Sequence, residues 1–207
     1  MDDMDEIEIF REMIKDEAKV PLIEYDKEKR VVLTESQYEN PKDSRELKVA
    51  IGNMPDSSIV IKADVFRSPD TIFTGNKGEC KRADFVIVSK WTDTNESVTK
   101  IILIIELKAG RDDKEVVVQQ LKGAQCFIGY CREIGRAFWK KENFLDGYEY
   151  RFVGIYHISA ARRKTRYEFP EGIHDSPEKM LKISSPTELT FMKLVGGEKN
   201  KKTWKNK

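Results

Sequence analysis

Two apolar runs in this chain end on charges that a buried strand does not ordinarily carry. The first is Ala83-Asp84-Phe85-Val86-Ile87-Val88. The second is Ile101-Ile102-Leu103-Ile104-Ile105-Glu106-Leu107-Lys108. Strand side chains alternate between faces, so Glu106 and Lys108 share a face with Ile102 and Ile104. Ile101, Leu103, Ile105 and Leu107 line the other face. A run apolar on both faces predicts a central strand covered on both sides. A carboxylate and an ammonium at its end are costly there unless they are paired or hold a metal.

The flanking segments supply a frame for these residues. Lys90 to Val98 is polar and predicts a hairpin connection, with Asp93-Thr94-Asn95 at its tip. After Lys108, Ala109-Gly110-Arg111 leads out, and Asp112 or Asp113 can cap a helix over 114–138. Its apolar stripe is Val117, Leu121, Ala124, Phe127 or Ile128, Cys131, Ile134 and Phe138. Gln120 falls inside that stripe and Gln119 off it. A polar, aromatic-bearing loop over 140–149 precedes a strand over 151–159. Strand, helix, strand predicts a parallel pair.

Upstream, Ile7, Phe10, Ile14 and Ala18 predict an amphipathic helix over 5–19, closed by Pro21. Strands are expected over 31–34, 47–51 and 58–66, with a loop over 40–44. Downstream come a basic loop over 160–166, an irregular Pro- and Gly-bearing stretch over 170–187 and a last strand over 188–195. Residues 1–197 are expected to form one domain. The Lys-rich tail 198–207 is expected to be disordered.

Composition excludes several classes. Lys+Arg 37 against Asp+Glu 36 leaves a net charge of +1, so nucleic-acid binding would need local basic patches. No apolar run reaches the roughly 18 residues of a membrane span. The start, Met1-Asp2-Asp3-Met4-Asp5-Glu6, is acidic, unlike a secretory leader. Three cysteines argue against a disulfide framework, and Cys126 and Cys131 lack the His or Cys partners of a zinc site. A reducing, cytoplasmic setting is expected.

Hydrolysis of a phosphodiester needs an activated water and a neutralised anionic transition state, and Mg²⁺ supplies both. Mg²⁺ takes hard oxygen ligands, with water and substrate phosphate completing its octahedron. Asp84 and Glu106 can supply carboxylates from adjacent antiparallel strands, and the Leu107 carbonyl can add a ligand. Lys108 can orient the water and stabilise developing charge. Gln120 can reach the same end of the sheet.

Asp84, then Glu106-Leu107-Lys108 ending an apolar strand, then a helix carrying Gln120, resembles the PD-(D/E)xK nuclease superfamily. That superfamily includes type II restriction enzymes and archaeal Holliday-junction resolvases. The resemblance covers about residues 83–159. It implies an α/β fold with a restriction-endonuclease-like αβββαβ core, a mixed sheet flanked by helices. It implies metal-dependent DNA cleavage by Asp84, Glu106, Lys108 and Gln120, with Asp84, Glu106 and Leu107 on Mg²⁺, which Mn²⁺ can replace. DNA is the implied partner, and foreign-DNA defence or DNA repair the implied context. A homodimer would let two centres cut two strands. No organic cofactor and no membrane are expected.

The chain departs from the family pattern in three places. Ala83 stands where Pro often precedes the Asp. Ala124 stands where a Tyr often follows the helix Gln. The first-helix Glu that often completes the metal shell has three candidates, Glu12, Glu17 and Glu24. Pro69-Asp70 matches the motif literally but predicts a turn.

Each feature also has a plainer structural reading. Asp84, Glu106 and Lys108 could be an ion pair at a sheet end, and Gln120 a buried amide bonded to backbone. Arg162, Arg163, Lys164 and Arg166 are candidate DNA contacts or a solvated basic loop. His157 and His174 are expected to be structural or solvated, Cys80, Cys126 and Cys131 to be ordinary thiols, and Trp91 and Trp139 to pack. The competing class for the whole chain is a catalytically inactive nuclease-fold module that binds protein or nucleic acid. RNA as substrate has no motif in support.

Overall fold

The computed structural model describes residues 4–38, 44–92, 96–110, 113–158, 165–186 and 188–196. The chain is mixed α/β, with two mixed sheets and three α-helices among these residues. Helix α1 (Glu6–Met13) comes first, capped by the Asp5 side chain at Ile7 N–H. A small sheet follows from β1 (Ile23–Tyr25), β2 (Glu28–Tyr38) and β3 (Ser44–Gly52). Then come β4 (Ser57–Lys62), β5 (Phe85–Thr92) and β6 (Val98–Leu107), an antiparallel meander. Helix α2 (Lys114–Phe138) leads to β7 (Glu149–Tyr156), which lies parallel to β6. β8 (Arg166–Glu168), β9 (Leu181–Ser184), β10 (Leu189–Thr190) and α3 (Phe191–Leu194) complete the chain.

The six-stranded sheet has the order β4-β5-β6-β7-β9-β8, and the four-stranded sheet the order β1-β2-β3-β10. The expected parallel pair and central strand are therefore present. One face of β6 (Ile102, Ile104) packs with Ile7, Phe10, Val117, Leu121 and Ile128 of the two long helices. The other face (Ile101, Leu103, Ile105, Leu107) packs with Val31, Leu33, Val49 and Ile51 of the small sheet. Burying each such side chain stabilises the fold by roughly 1.5–3 kcal/mol. This double cover holds the end of β6 rigidly.

Several boundaries differ from expectation, each for a physical reason. α1 stops at Met13 because Lys19 bridges to Ile61 and the Val20 N–H donates to Val60 O, drawing the chain out along β4. β4 stops at Lys62, where the Ala63 N–H donates to Asp84 O at 2.8 Å and a 3-10 turn begins. The expected strand over 188–195 is two residues of strand and then a helix. Phe191, Leu194 and Val195 turn inward to fill the gap between the sheets. The irregular stretch hides a true strand, β9, behind the Pro177 turn. Phe138 is 77 % exposed and not part of the α2 stripe. Gly135 takes the buried place, because a Cβ there would lie 2.2 Å from the Phe144 ring. The hairpin tip 93–95, the loop 40–43 and the tail 198–207 lie outside the described residues.

Candidate functional site

The register of β5 and β6 brings the two motif acids together. Phe85 pairs with Ile105, so Asp84, one place earlier, stands opposite Glu106. Each carboxylate is held by the other strand's backbone. The Leu107 N–H donates to Asp84 Oδ2 at 2.6 Å, and the Asp84 N–H donates to Glu106 Oε2 at 3.2 Å. Lys108 Nζ lies 2.9 Å from Glu106 Oε1. The Lys108 N–H donates to Ile155 O at 2.8 Å, which pins the residue to β7. Asp84, Glu106 and Lys108 therefore converge at one end of the covered sheet, on its helix face.

Both carboxylates are buried, Glu106 being only 1 % exposed. Burial pushes the Glu106 carboxyl up to about 7, against the pull of the Lys108 ammonium and the amides that bond it. Burial, then the nearby Glu106 charge, holds Asp84 well above the usual carboxylate range. Two acids whose repulsion is incompletely relieved favour a further cation or a retained proton.

Helix α2 brings Gln120 beside Glu106, where it favours the charged carboxylate. The Gln120 Oε1 is buried without a hydrogen-bond partner. Gln119 instead accepts from Lys81 Nζ at 2.7 Å. The helix approaches closely because position 123 is glycine. A Cβ there would lie 1.7 Å from Lys81 O, in the segment that leads into Asp84. On the far side of Glu106, β7 presents Gly154 in register, and the Tyr156 ring folds over it. A glycine opposite the Glu was the available sequence signal for this close approach of the Tyr156 ring.

Other predicted residues lie elsewhere. Arg162, Arg163 and Lys164 fall outside the described residues. Arg166 is an exposed residue of β8, not of a loop, 3.5 Å from Glu168. None of the three first-helix candidates makes a recorded contact with the site. Glu12 accepts from Trp139 Nε1 at 3.0 Å, Glu17 pairs with Lys15, and Glu24 is exposed in β1. Pro69-Asp70 is a turn, as expected. His174 is buried, with Nε2 2.7 Å from Leu194 O, and His157 lies just past β7. The cysteines are free thiols.

Three residues not anticipated from sequence border the site. Glu35, from β2 of the other sheet, adds its charge to that felt by Asp84, and its own charge is favoured by Lys108. Its Oε2 lies 3.5 Å from Lys62 Nζ, an ion pair at the outer limit of a hydrogen bond. Lys62 also lies 3.9 Å from Asp64. Burial raises both Glu35 and Asp64. Only the pairing of β2 over the sheet reveals Glu35, because its neighbours in sequence are ordinary strand residues.

Among the described residues no three His, Cys, Asp or Glu side chains gather closely enough to hold a metal by themselves. Two carboxylates, a backbone carbonyl and water are what Mg²⁺ needs. The raised Asp84 and Glu106 and the unpartnered Gln120 oxygen fit such an ion. No described helix is long and apolar enough to cross a membrane. The chain matches no family model, no curated protein and no solved structure.

Proposed function

We propose that this protein hydrolyses DNA phosphodiester bonds with a divalent cation, on a restriction-endonuclease-like core. The observation that carries the reading is the cross-strand seating of Asp84 opposite Glu106 with Lys108 at 2.9 Å. The order α1, then β4-β5-β6-α2-β7 after the inserted strands β1 to β3, with β7 parallel to β6, supports the αβββαβ core. Asp84, Glu106 and the Leu107 carbonyl would hold Mg²⁺ or Mn²⁺. The bound ion neutralises charge and lowers the pKa of a water. Lys108 donates to the attacking water or to a phosphate oxygen, stabilising charge as it develops. Water adds to phosphorus and releases a proton to solvent, one P–O bond breaks, and the departing oxygen takes up a proton from solvent. Gln120 favours the charged form of Glu106, against the effect of its burial. Foreign-DNA defence or DNA repair, in a reducing cytoplasm, is the context this chemistry suggests by analogy.

The second reading, an inactive nuclease-fold module, draws on the net charge of +1, which gives little general attraction for DNA. Retention of both Glu106 and Lys108 favours the enzyme. Plasmid, linear and single-stranded DNA incubated with Mg²⁺ or Mn²⁺ separate the two. Wild type should cleave, and Glu106→Ala and Lys108→Ala should not. Equal residual cleavage by all three preparations would mean a contaminant and would sink the assignment.

A further inference from the structure

The connection from β4 to β5, residues 63–84, is long, and it turns apolar side chains outward. Ile72 is 80 % exposed, Phe73 53 % and Phe66 38 %, and Val65 is exposed as well. This is not a loose loop. Ser68 Oγ donates to Cys80 O at 3.1 Å. Glu79 accepts from the Gly75 and Lys77 N–H groups at 3.0 and 2.8 Å. Lys81 is tied to Gln119, and its carbonyl rests on Gly123. An ordered loop that still shows apolar groups to water is built to meet something.

The aromatic part of this surface has a definite form. The Phe66 ring centroid lies 6.2 Å from Tyr130 and 5.2 Å from the buried Phe127 beneath it. The Arg82 guanidinium carbon lies 5.1 Å from the Phe66 centroid. Tyr130, on α2, is 56 % exposed. An open Tyr130 ring next to a Phe66 ring that carries the Arg82 guanidinium over its face presents groups on which nucleobases stack. Exposed Arg67 and Lys77 on the same connection can meet a phosphate backbone individually, although exposed Asp64, Asp70 and Glu79 balance their charge.

The surface is also tied to the backbone that carries Asp84. Arg82 lies two residues before Asp84, and Ala63, three before Phe66, bonds the Asp84 carbonyl. Along α2, Phe127 lies about 10 Å beyond Gln120 at about 1.5 Å per residue. The helix that brings Gln120 to Glu106 thus also carries Tyr130 of the platform. Bases inside a duplex have their faces covered, whereas those of a single strand do not.

We infer that Phe66, Tyr130 and Arg82 form a preformed stacking platform for unpaired bases, so that the substrate is DNA with a single-stranded segment at the site. This rests on the proposed placement of the scissile phosphate. The test is fluorescence anisotropy of a labelled oligo-dT and of a duplex of equal length, with Glu106→Gln protein in Mg²⁺. Adding Phe66→Ala or Tyr130→Ala should weaken oligo-dT binding about tenfold, with duplex binding unchanged. Phe66→Trp should restore it, and a thermal melt confirms that each variant is folded. Tyr130→Ala removes an exposed ring, so it keeps the test valid if Phe66→Ala loosens the loop. Oligo-dT binding that ignores both variants, equal loss on duplex, or a change of oligomeric state instead would overturn the platform. Parallel cleavage by wild type keeps the two readings apart. Cleavage without Phe66-dependent binding removes the platform alone, and Phe66-dependent binding without cleavage removes the nuclease alone.

Discussion

At each end of strand β6 a Lys meets a buried Glu, and the two ends are built differently. At the start, Lys100 Nζ lies 3.1 Å from Glu6 Oε2 of α1, and Lys90 lies 2.5 Å from Asp5. The Tyr148 hydroxyl adds a hydrogen bond to Glu6 at 3.4 Å. Two acids meet two lysines, and the charges cancel. At the other end Asp84, Glu106, Glu35 and Asp64 meet Lys108 and Lys62. The surplus there is negative and partly buried. The first end is a finished ion-pair cluster that fastens α1 to the sheet. The second has an imbalance that a divalent cation would remove. The same residue types at the two ends of one strand thus cancel in one place and leave a negative surplus in the other.

That contrast is broken or sharpened most strongly by cleavage. Asp84→Asn and Glu106→Gln should each lower Mg²⁺-dependent cleavage by at least about 100-fold, as loss of charge stabilisation does. Glu6→Gln should leave the rate within about twofold, since it touches only the far end. A gel assay of plasmid nicking reads both. A comparable loss in Glu6→Gln would erase the distinction between the ends.

Stability should move in opposite directions at the two ends. Glu6→Gln removes the partner of Lys100 and should cost about 1–3 kcal/mol in urea unfolding, the partial exposure of the pair keeping it below a fully buried bridge. Glu106→Gln should stabilise the cation-free protein at pH 8, because the folded state already favours the uncharged carboxyl. The sign follows from the raised folded value of about 7 against the ordinary 4.5. The folded state binds more protons between these values, so stability falls as pH rises from 4.5 through 7. Wild type should show that decline without added cation, on the order of a few kcal/mol, and Glu106→Gln should flatten it. A wild-type profile that climbs over this range would contradict the burial assigned to Glu106.

A smaller contrast lies along α2. Gly123 sits against the Lys81 carbonyl, whereas a Cβ at Gly129 would meet nothing. Gly123→Ala should push the segment leading into Asp84 and cost about 1–3 kcal/mol together with activity. Gly129→Ala should stabilise by about 0.5–1 kcal/mol through helix propensity alone. Melting curves and the nicking assay would show whether the approach at Gly123 matters to the site.

The end of β6 was legible because alternation is a local property. Glu106 and Lys108 had to share a face with Ile102 and Ile104, and they do. The span of α2 was legible, since its apolar spacing and an Asp cap just before Lys114 are also local, although Phe138 proved exposed. Glu35 was not, because its place depends on one sheet folding over another. Nor was the end of α1, where bonding to β4 overrides helix propensity. The final strand became helix because Phe191 and Leu194 fill space that only the assembled sheets create. Asp84 was readable as a misplaced charge, but its cross-strand bond to Leu107 came only with the register.

The measurement that bears most directly on the contrast is Mn²⁺ binding followed by electron paramagnetic resonance at pH 8. Wild type and Glu6→Gln should bind Mn²⁺ alike, and Mg²⁺ should compete. Asp84→Asn and Glu106→Gln should lose that site. Binding that survives in both of these variants, or that disappears equally in Glu6→Gln, would contradict a cation site at the Glu106 end of β6.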